Sequence, residues 1–209
     1  IDNILGKNFF KNKINFQNSP SLEAQIASIS DDIAYNSHDL EDGLRAKLFK
    51  IKDLKNMPVL KSILVKHEKK LKKFPQDLVF RQIIRDVINS MVKDIIKNTS
   101  RNIKINKIKN INDVYETKFP IVQFSKNMHL FHINIKRFLK EKMYLHKKVV
   151  DKTSQGKKIV KALFIKIKKN PKKYITINRD KKTDIERSIC DFIAGMTDRF
   201  AINLHNKSK

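Results

Sequence analysis

Apolar residues recur along most of this chain at steps of three, four and seven, the spacing of one face of an α-helix. Ser19-Pro20 opens the first such run, with Ser as cap, Pro at the first helical position and Glu23 in the first turn. That run keeps Leu22, Ile26, Ile29, Ile33, Leu40, Leu44 and Leu48 on one side. The residues before it, 1–18, are rich in Asn and Lys and read as an irregular opening segment. Residues 50–75 are Lys-rich and broken by Pro58 and Pro75, which predicts one or two short helices with loops. From Leu78 to Ile96 the period returns through Val79, Ile83, Val87, Met91 and Ile95, the pattern of a strongly amphipathic helix. The stretch Arg101–Ile111 is compatible with either an extended segment or a loop. Further helices are predicted over Ser125–His146, over 154–169 up to the Asn170-Pro171 stop, and over 183–203. Strand alternation and Asn-Gly hairpin signals do not recur, and there are only 4 glycines and 5 prolines in 209 residues. The prediction is an all-α fold.

Composition changes that picture little. Apolar residues make up 40% and charged residues 32%, a folded rather than disordered mixture, and no apolar run is long enough to span a membrane. A single cysteine, Cys190, excludes an internal disulfide framework. It reads as a small buried apolar residue in a protein of the reducing cytoplasm. A formal charge of +25 invites a nucleic-acid partner. The basic residues are overwhelmingly Lys, however, and they are spread over the chain beside abundant Asn and Ile, which share A/T-rich codons. No RNP-like motif, zinc-finger spacing or Gly-rich phosphate loop accompanies them. Any nucleic-acid contact is therefore expected to be non-specific.

One window departs from this basic background. Between Ser21 and Phe49 stand Glu23, Asp31, Asp32, Asp39, Glu41 and Asp42 against only Arg45 and Lys47. At 100° per residue, Asp31, Tyr35 and Asp39 share an arc of about 80°, with Asp42 inside it and the apolar stripe on the opposite side. Such a row is either the solvated face of an amphipathic helix or a set of carboxylates retained for chemistry, and spacing alone leaves both open.

A resemblance bears on that choice. Ser21-Leu22-Glu23-Ala24-Gln25-Ile26-Ala27, then Asp31-Asp32-Ile33-Ala34-Tyr35 with His38-Asp39, and Glu41-Asp42-Gly43-Leu44-Arg45-Ala46, resemble a signature of dGTPase-like phosphohydrolases of the HD superfamily. Cys190-Asp191-Phe192-Ile193-Ala194-Gly195-Met196-Thr197-Asp198-Arg199-Phe200-Ala201 is similar to a second stretch of that family. Between them Arg81, Arg85, Met91-Val92-Lys93-Asp94, Lys142-Met143-Tyr144 and His146 stand in the family's order.

The resemblance implies the C-terminal helical part of an HD-type phosphohydrolase. Residues 1–49 would end the HD-type domain and carry its fourth metal-ligand helix, and 50–209 would form the helical associated region. It implies that Asp31 is a ligand to a divalent metal, Mg or Mn. Tyr35 would lie against the nucleotide's sugar and phosphates, Asp39 would contact the ribose 3′-hydroxyl, and Arg81 and Arg85 could face the triphosphate. The intact family's reaction would convert a dNTP, with dGTP favoured, and water to deoxynucleoside and triphosphate. The family's first His and its His-Asp pair precede this signature, and residues 1–20 contain no histidine. His129 and His132 have helical spacing but no carboxylates beside them in sequence, while His38, His67, His146 and His205 are isolated. The chain is accordingly expected to be a fragment, split gene product or degraded reading frame, inactive alone. It would work as a homo-oligomer or with a complementing N-terminal half. The rival expectation is a non-catalytic helical module for oligomerisation or nucleic-acid binding.

Overall fold

The computed structural model describes residues 18–55, 57–175 and 184–207, and the opening segment anticipated over residues 1–18 lies, save Asn18, outside them. Among the described residues every regular element is helical: α1 (Leu22–Arg45), α2 (Pro58–Lys73), α3 (Gln76–Ile105), α4 (Ile111–Glu116), α5 (Lys126–Leu139), α6 (Lys147–Lys169), α7 (Ile185–Ala194) and α8 (Asp198–Asn206). Short 3₁₀ turns occupy Ile51–Leu54 and Pro171–Lys173, and one π turn occupies Lys140–Tyr144. None of these helices is long and apolar enough to cross a membrane. The chain forms two compact units, Ile1–Met143 and Tyr144–Lys209. Within the first, α1 packs against α3 and α5, and α2 against α3 and α5. Residues 18–49 thus share one core with α2, α3 and α5.

The helix boundaries arise from local chemistry, and several differ from those the pattern predicts. Ser21, not Ser19, caps α1: its hydroxyl accepts from the Ala24 amide at 3.3 Å. Ser19 bonds instead to the far segment, through its amide to Tyr115 O at 3.1 Å and through its hydroxyl to Thr117 O. At the other end α1 stops at Arg45, short of Leu48. Lys47 turns left-handed at φ 55°, its amide bonds Leu44 O at 3.0 Å, and the Leu48 amide bonds Gly43 O at 2.9 Å. The long helix α3 runs to Ile105, so Arg101–Ile105 is helical rather than extended or looped. The predicted 183–203 helix is two helices, because the Thr197 hydroxyl accepts from the Phe200 amide and starts a new one.

The core of the first unit is the buried side of α3, including Ile83, Val87 and Met91, set against Leu40, Leu60, Phe131, Ile135 and Leu139. Each such side chain contributes about 1.5–3 kcal/mol by leaving water. The tightest approach is at Gly43. A Cβ there would lie 2.3 Å from Cε1 of Phe49, whose ring also meets Phe138 edge-on at 4.8 Å between centroids. Glycine lets the turn after α1 fold its aromatic ring directly onto the helix backbone.

The segment 117–125 has little regular structure and is held by side chains. Gln25 is buried; its carbonyl oxygen accepts from the amides of Ile121 at 2.8 Å and Val122 at 3.0 Å, and its amide donates to Pro20 O at 2.7 Å. From α3, Asn98 donates to Gln123 O and Asn102 to Ile121 O, both at 2.9 Å. Asp94 accepts from the Ser125 amide and hydroxyl at 2.7 and 2.6 Å, which anchors the start of α5.

The second unit is thinner. Its fully buried apolar side chains among the described residues are Leu163, Ile167 and Ile189. The α6 ammonium of Lys166 bonds Leu204 O at 3.2 Å and lies 5.5 Å above the Tyr174 ring. Cys190 corrects an expectation: it is exposed, because it sits about 100° round α7 from the buried Ile189.

Two substitutions test this account. Gly43→Ala gains helix propensity of about 1 kcal/mol but must displace a buried ring, so a net loss of about 1–3 kcal/mol in urea denaturation is expected. Gln25→Leu leaves two buried amides without their acceptor and should cost about 2 kcal/mol or more in the same assay.

Candidate functional site

Helix α1 is divided lengthwise. Gln25, Ile33, Asn36, Ser37, Leu40 and Gly43 are buried, and at 100° per residue they fall in an arc of about 120°. On the other side Asp31, Tyr35 and Asp42 are exposed and Asp39 is half-buried, with Tyr35 at 59% exposure. The structure thus brings Asp31, Tyr35 and Asp39 together as a continuous open row, on a rigid helix whose opposite face is locked into the core. Ile26, on the apolar stripe, remains 47% exposed.

The two arginines do not join the row in the same way. Arg81 Nε lies 3.6 Å from Oε1 of Glu41, and that same oxygen holds Arg45 Nη2 at 2.5 Å. Glu41 is about 120° round α1 from Tyr35, so this cluster occupies a different side of the helix from the row. Arg85 stands exposed one turn further along α3 and makes no ion pair among the described residues.

On the remaining side, next to Asp31, Asp32 Oδ2 accepts from Lys136 Nζ at 2.8 Å and lies 3.7 Å from Nε2 of His132. His132 is buried, its ring tilted against Phe124 at 5.2 Å, and its Nε2 has no hydrogen-bond partner among the described residues. Burial first, then the nearby Lys136 charge, holds its pKa below the ordinary 6.5, with Asp32 pulling the other way. Two clefts open on either side of the row without including it. One of about 740 Å³ is lined by Gln25, Asp32, Phe124 and His132, and one of about 550 Å³ by Glu41, Arg45, Phe80 and Arg81.

A divalent metal ion needs several convergent ligands. Among the described residues no group of three or more His, Cys, Asp or Glu side chains is placed to hold one. Asp31 can offer a single carboxylate. The residues present therefore do not make a metal centre by themselves, and no chemical step through a metal is derived from them. Two of the remaining histidines serve the fold. His67 Nε2 pairs with Asp86 Oδ2 at 2.9 Å between α2 and α3, and His146 caps α6 by accepting from the Lys148 amide. His38 and His129 are exposed.

Comparison with known proteins addresses what such a half-open row belongs to. The phosphohydrolase-associated domain matches residues 122–207. A deoxyguanosinetriphosphate triphosphohydrolase-like protein of Pelagibacter ubique is 50% identical over 206 residues, covering 98% of this chain and 55% of that protein. Proteins of the same name from Bradyrhizobium diazoefficiens and Caulobacter vibrioides are 35% and 34% identical over 90% of this chain. The chain is a relative of the dGTPase-like proteins of the HD superfamily. It spans about half the length of the curated relatives it matches.

With the dGTPase-like relationship in hand, the resemblance sorts into two kinds of residue. Gln25 and Gly43 in the signature are structural, the first tying down 121–122 and the second admitting the Phe49 ring. Asp31 and Tyr35 are exposed and have no such packing role among the described residues. The Asp32–Lys136–His132 group was missed by sequence reasoning because its members lie about 100 residues apart. The only local signal was the His129/His132 pair, of which one member points into the core.

The depressed His132 pKa has a measurable sign. The unfolded chain takes up a proton near the ordinary 6.5 while the native state resists it, so stability falls as pH drops below that value towards the native pKa. Asp86, held below its ordinary 3.8 by His67 and Lys66, gives a separate loss only at lower pH still. His132→Leu should flatten the stability profile as pH falls below about 6.5, read by urea denaturation at each pH, and leave the acid limb in place.

Proposed function

We propose that this chain supplies one wall of a dNTP triphosphohydrolase site, and that its partner in the reaction is a dNTP, with dGTP favoured. The observation that carries the proposal is the open row of Asp31, Tyr35 and Asp39 on α1, in a chain 50% identical to a dGTPase-like protein. The whole reaction is dNTP plus water to deoxynucleoside and triphosphate. In it Asp31 supplies one carboxylate to a divalent ion, Mg or Mn, whose other ligands are not among the described residues. Tyr35 offers a flat, amphipathic ring to the sugar and phosphates. Asp39, one turn beyond Tyr35, accepts a hydrogen bond from the deoxyribose hydroxyl. Arg85, exposed and without an ion pair among the described residues, is the better placed of the two arginines to meet phosphate oxygens. The division expected at residue 49 then sets the helix of the acidic row apart from the associated helices without separating two cores. We place the activity in the cytoplasm.

As a polypeptide on its own the chain is inactive in this proposal, since one carboxylate does not hold a hydrolytic metal. It functions as a homo-oligomer or with a segment that brings His and His-Asp ligands. A second reading, a non-catalytic oligomerisation or nucleic-acid-binding module, is favoured by one observation. On α6, Lys147, Lys157, Lys158, Lys161, Lys168 and Lys169 fall within about 120° of arc, opposite the buried Leu163 and Ile167.

Mixing the chain with the separately expressed preceding half of the Pelagibacter ubique relative, in Mn²⁺, is expected to yield deoxyguanosine and triphosphate from dGTP by chromatography. Asp31→Ala should remove that activity by on the order of 100-fold or more, at unchanged helicity. No turnover from two demonstrably folded halves would reject the catalytic reading. Salt-sensitive DNA binding that survives Asp31→Ala would then favour the second.

A further inference from the structure

We propose that the 550 Å³ cleft at the C-terminal end of α1 is a binding site for a polyphosphate chain, separate from the Asp31–Tyr35–Asp39 row. Its floor is apolar and fixed: Phe49 and Phe80 are each at most 5% exposed, with Leu44 and Ile51 beside them. Its rim carries Arg45, Lys47, Lys50, Lys52 and Arg81 against only Glu41 and Asp77. Glu41 is already shared between Arg45 and Arg81, which leaves three lysines on one lip with a single further carboxylate across from them. The 30-residue helix α3 also starts here at Gln76 with no side-chain cap, so the positive end of its dipole opens on the same space. Long cations converging on a concave surface, not merely spread over a helix face, are what a ligand with several adjacent negative charges requires.

The cleft and the row are distinct places. Glu41 is about 120° round α1 from Tyr35, and Arg45 is about 21 Å along the helix from Asp31. Arg81, which the resemblance alone would send to the substrate triphosphate, is drawn by Glu41 to this second locus. Two ligand sources share the chemistry, a free polyphosphate and the tail of a nucleoside triphosphate. The proposal goes beyond the hydrolase reading and does not depend on it.

The test uses the full 209-residue chain and isothermal calorimetry at fixed ionic strength, with tripolyphosphate, dGTP and orthophosphate as separate probes. Saturable 1:1 binding of tripolyphosphate is expected, at least about tenfold tighter than orthophosphate. The double variant Lys50→Gln/Lys52→Gln should weaken it by about tenfold or more. A charge-matched control at the far end of α3, Lys97→Gln/Lys104→Gln, both exposed, should change it less than about twofold. Equal affinity for tripolyphosphate and dGTP identifies the free chain as ligand, and tighter dGTP binding identifies a nucleotide; both support the site. Equal weakening by the two double variants, loss through Asp31→Ala or Tyr35→Ala in place of the cleft variants, or no saturable binding to wild type would each overturn it. Circular dichroism and melting of every variant keep loss of fold apart from loss of binding. Because no metal and no complementing half is present, failure to reconstitute hydrolysis leaves this result unaffected.

Discussion

The ring of Phe49 occupies the place where residue 43 would have a side chain, and much of the first unit depends on that. With Gly43 the turn after α1 closes onto the helix backbone, and Phe49 reaches Phe138 on α5 in the edge-to-face arrangement that aromatic pairs favour. The same closure requires the chain to reverse sharply at Lys47, in the left-handed region that an ordinary side chain enters at some cost. Closing the turn also carries Phe49 to the floor of the cleft and Lys50 and Lys52 to its rim. One missing methyl group thus sets the packing of three segments and the shape of a concavity.

The second constraint is polar. A 24-residue helix with a buried arc of only about 120° leaves most of its circumference free for charge. The structure uses that freedom in three sectors: an acidic row, an Asp–Lys–His group on one flank, and an Arg–Glu–Arg cluster on the other. The row contains no basic residue, and its like charges cost little at surface dielectric. The flanks neutralise their own carboxylates. The row instead keeps Asp31 and Tyr35 open to solvent.

How legible this was depended on the range of the interaction. The amphipathic period placed α1, α3, α5 and α6, and the all-helical class with them, because burial of one stripe is a local property of sequence. The row on α1 was legible for the same reason, since spacing along one helix fixes angle. Boundaries set by a single hydroxyl or a left-handed residue were not. Ser19 and Ser21 are equally good caps on paper, and only the competing bond from Ser19 to Thr117 decides between them. The Gln25 clamp joins positions 96 residues apart, and no pattern of period or propensity announces it. Arg81 shows the same limit at the site: its approach to Glu41, at 3.6 Å across the helix pair, has no signal in local spacing. The Cys190 side chain came out exposed because a short helix with one fully buried position protects very little of its circumference.

The slightness of the second unit carries a consequence for how the molecule breathes. The three fully buried apolar side chains among its described residues, Leu163, Ile167 and Ile189, can offset the ordering entropy of only a few residues, whereas α6 alone orders twenty-three. Local opening free energies track buried contact, so the helices after Tyr144 should exchange their amide protons long before the Ile83–Met91 stretch of α3 does. The lysine face of α6 is therefore carried by helices of low local stability. A polyanion laid along those lysines would be meeting a surface whose order it helps to create.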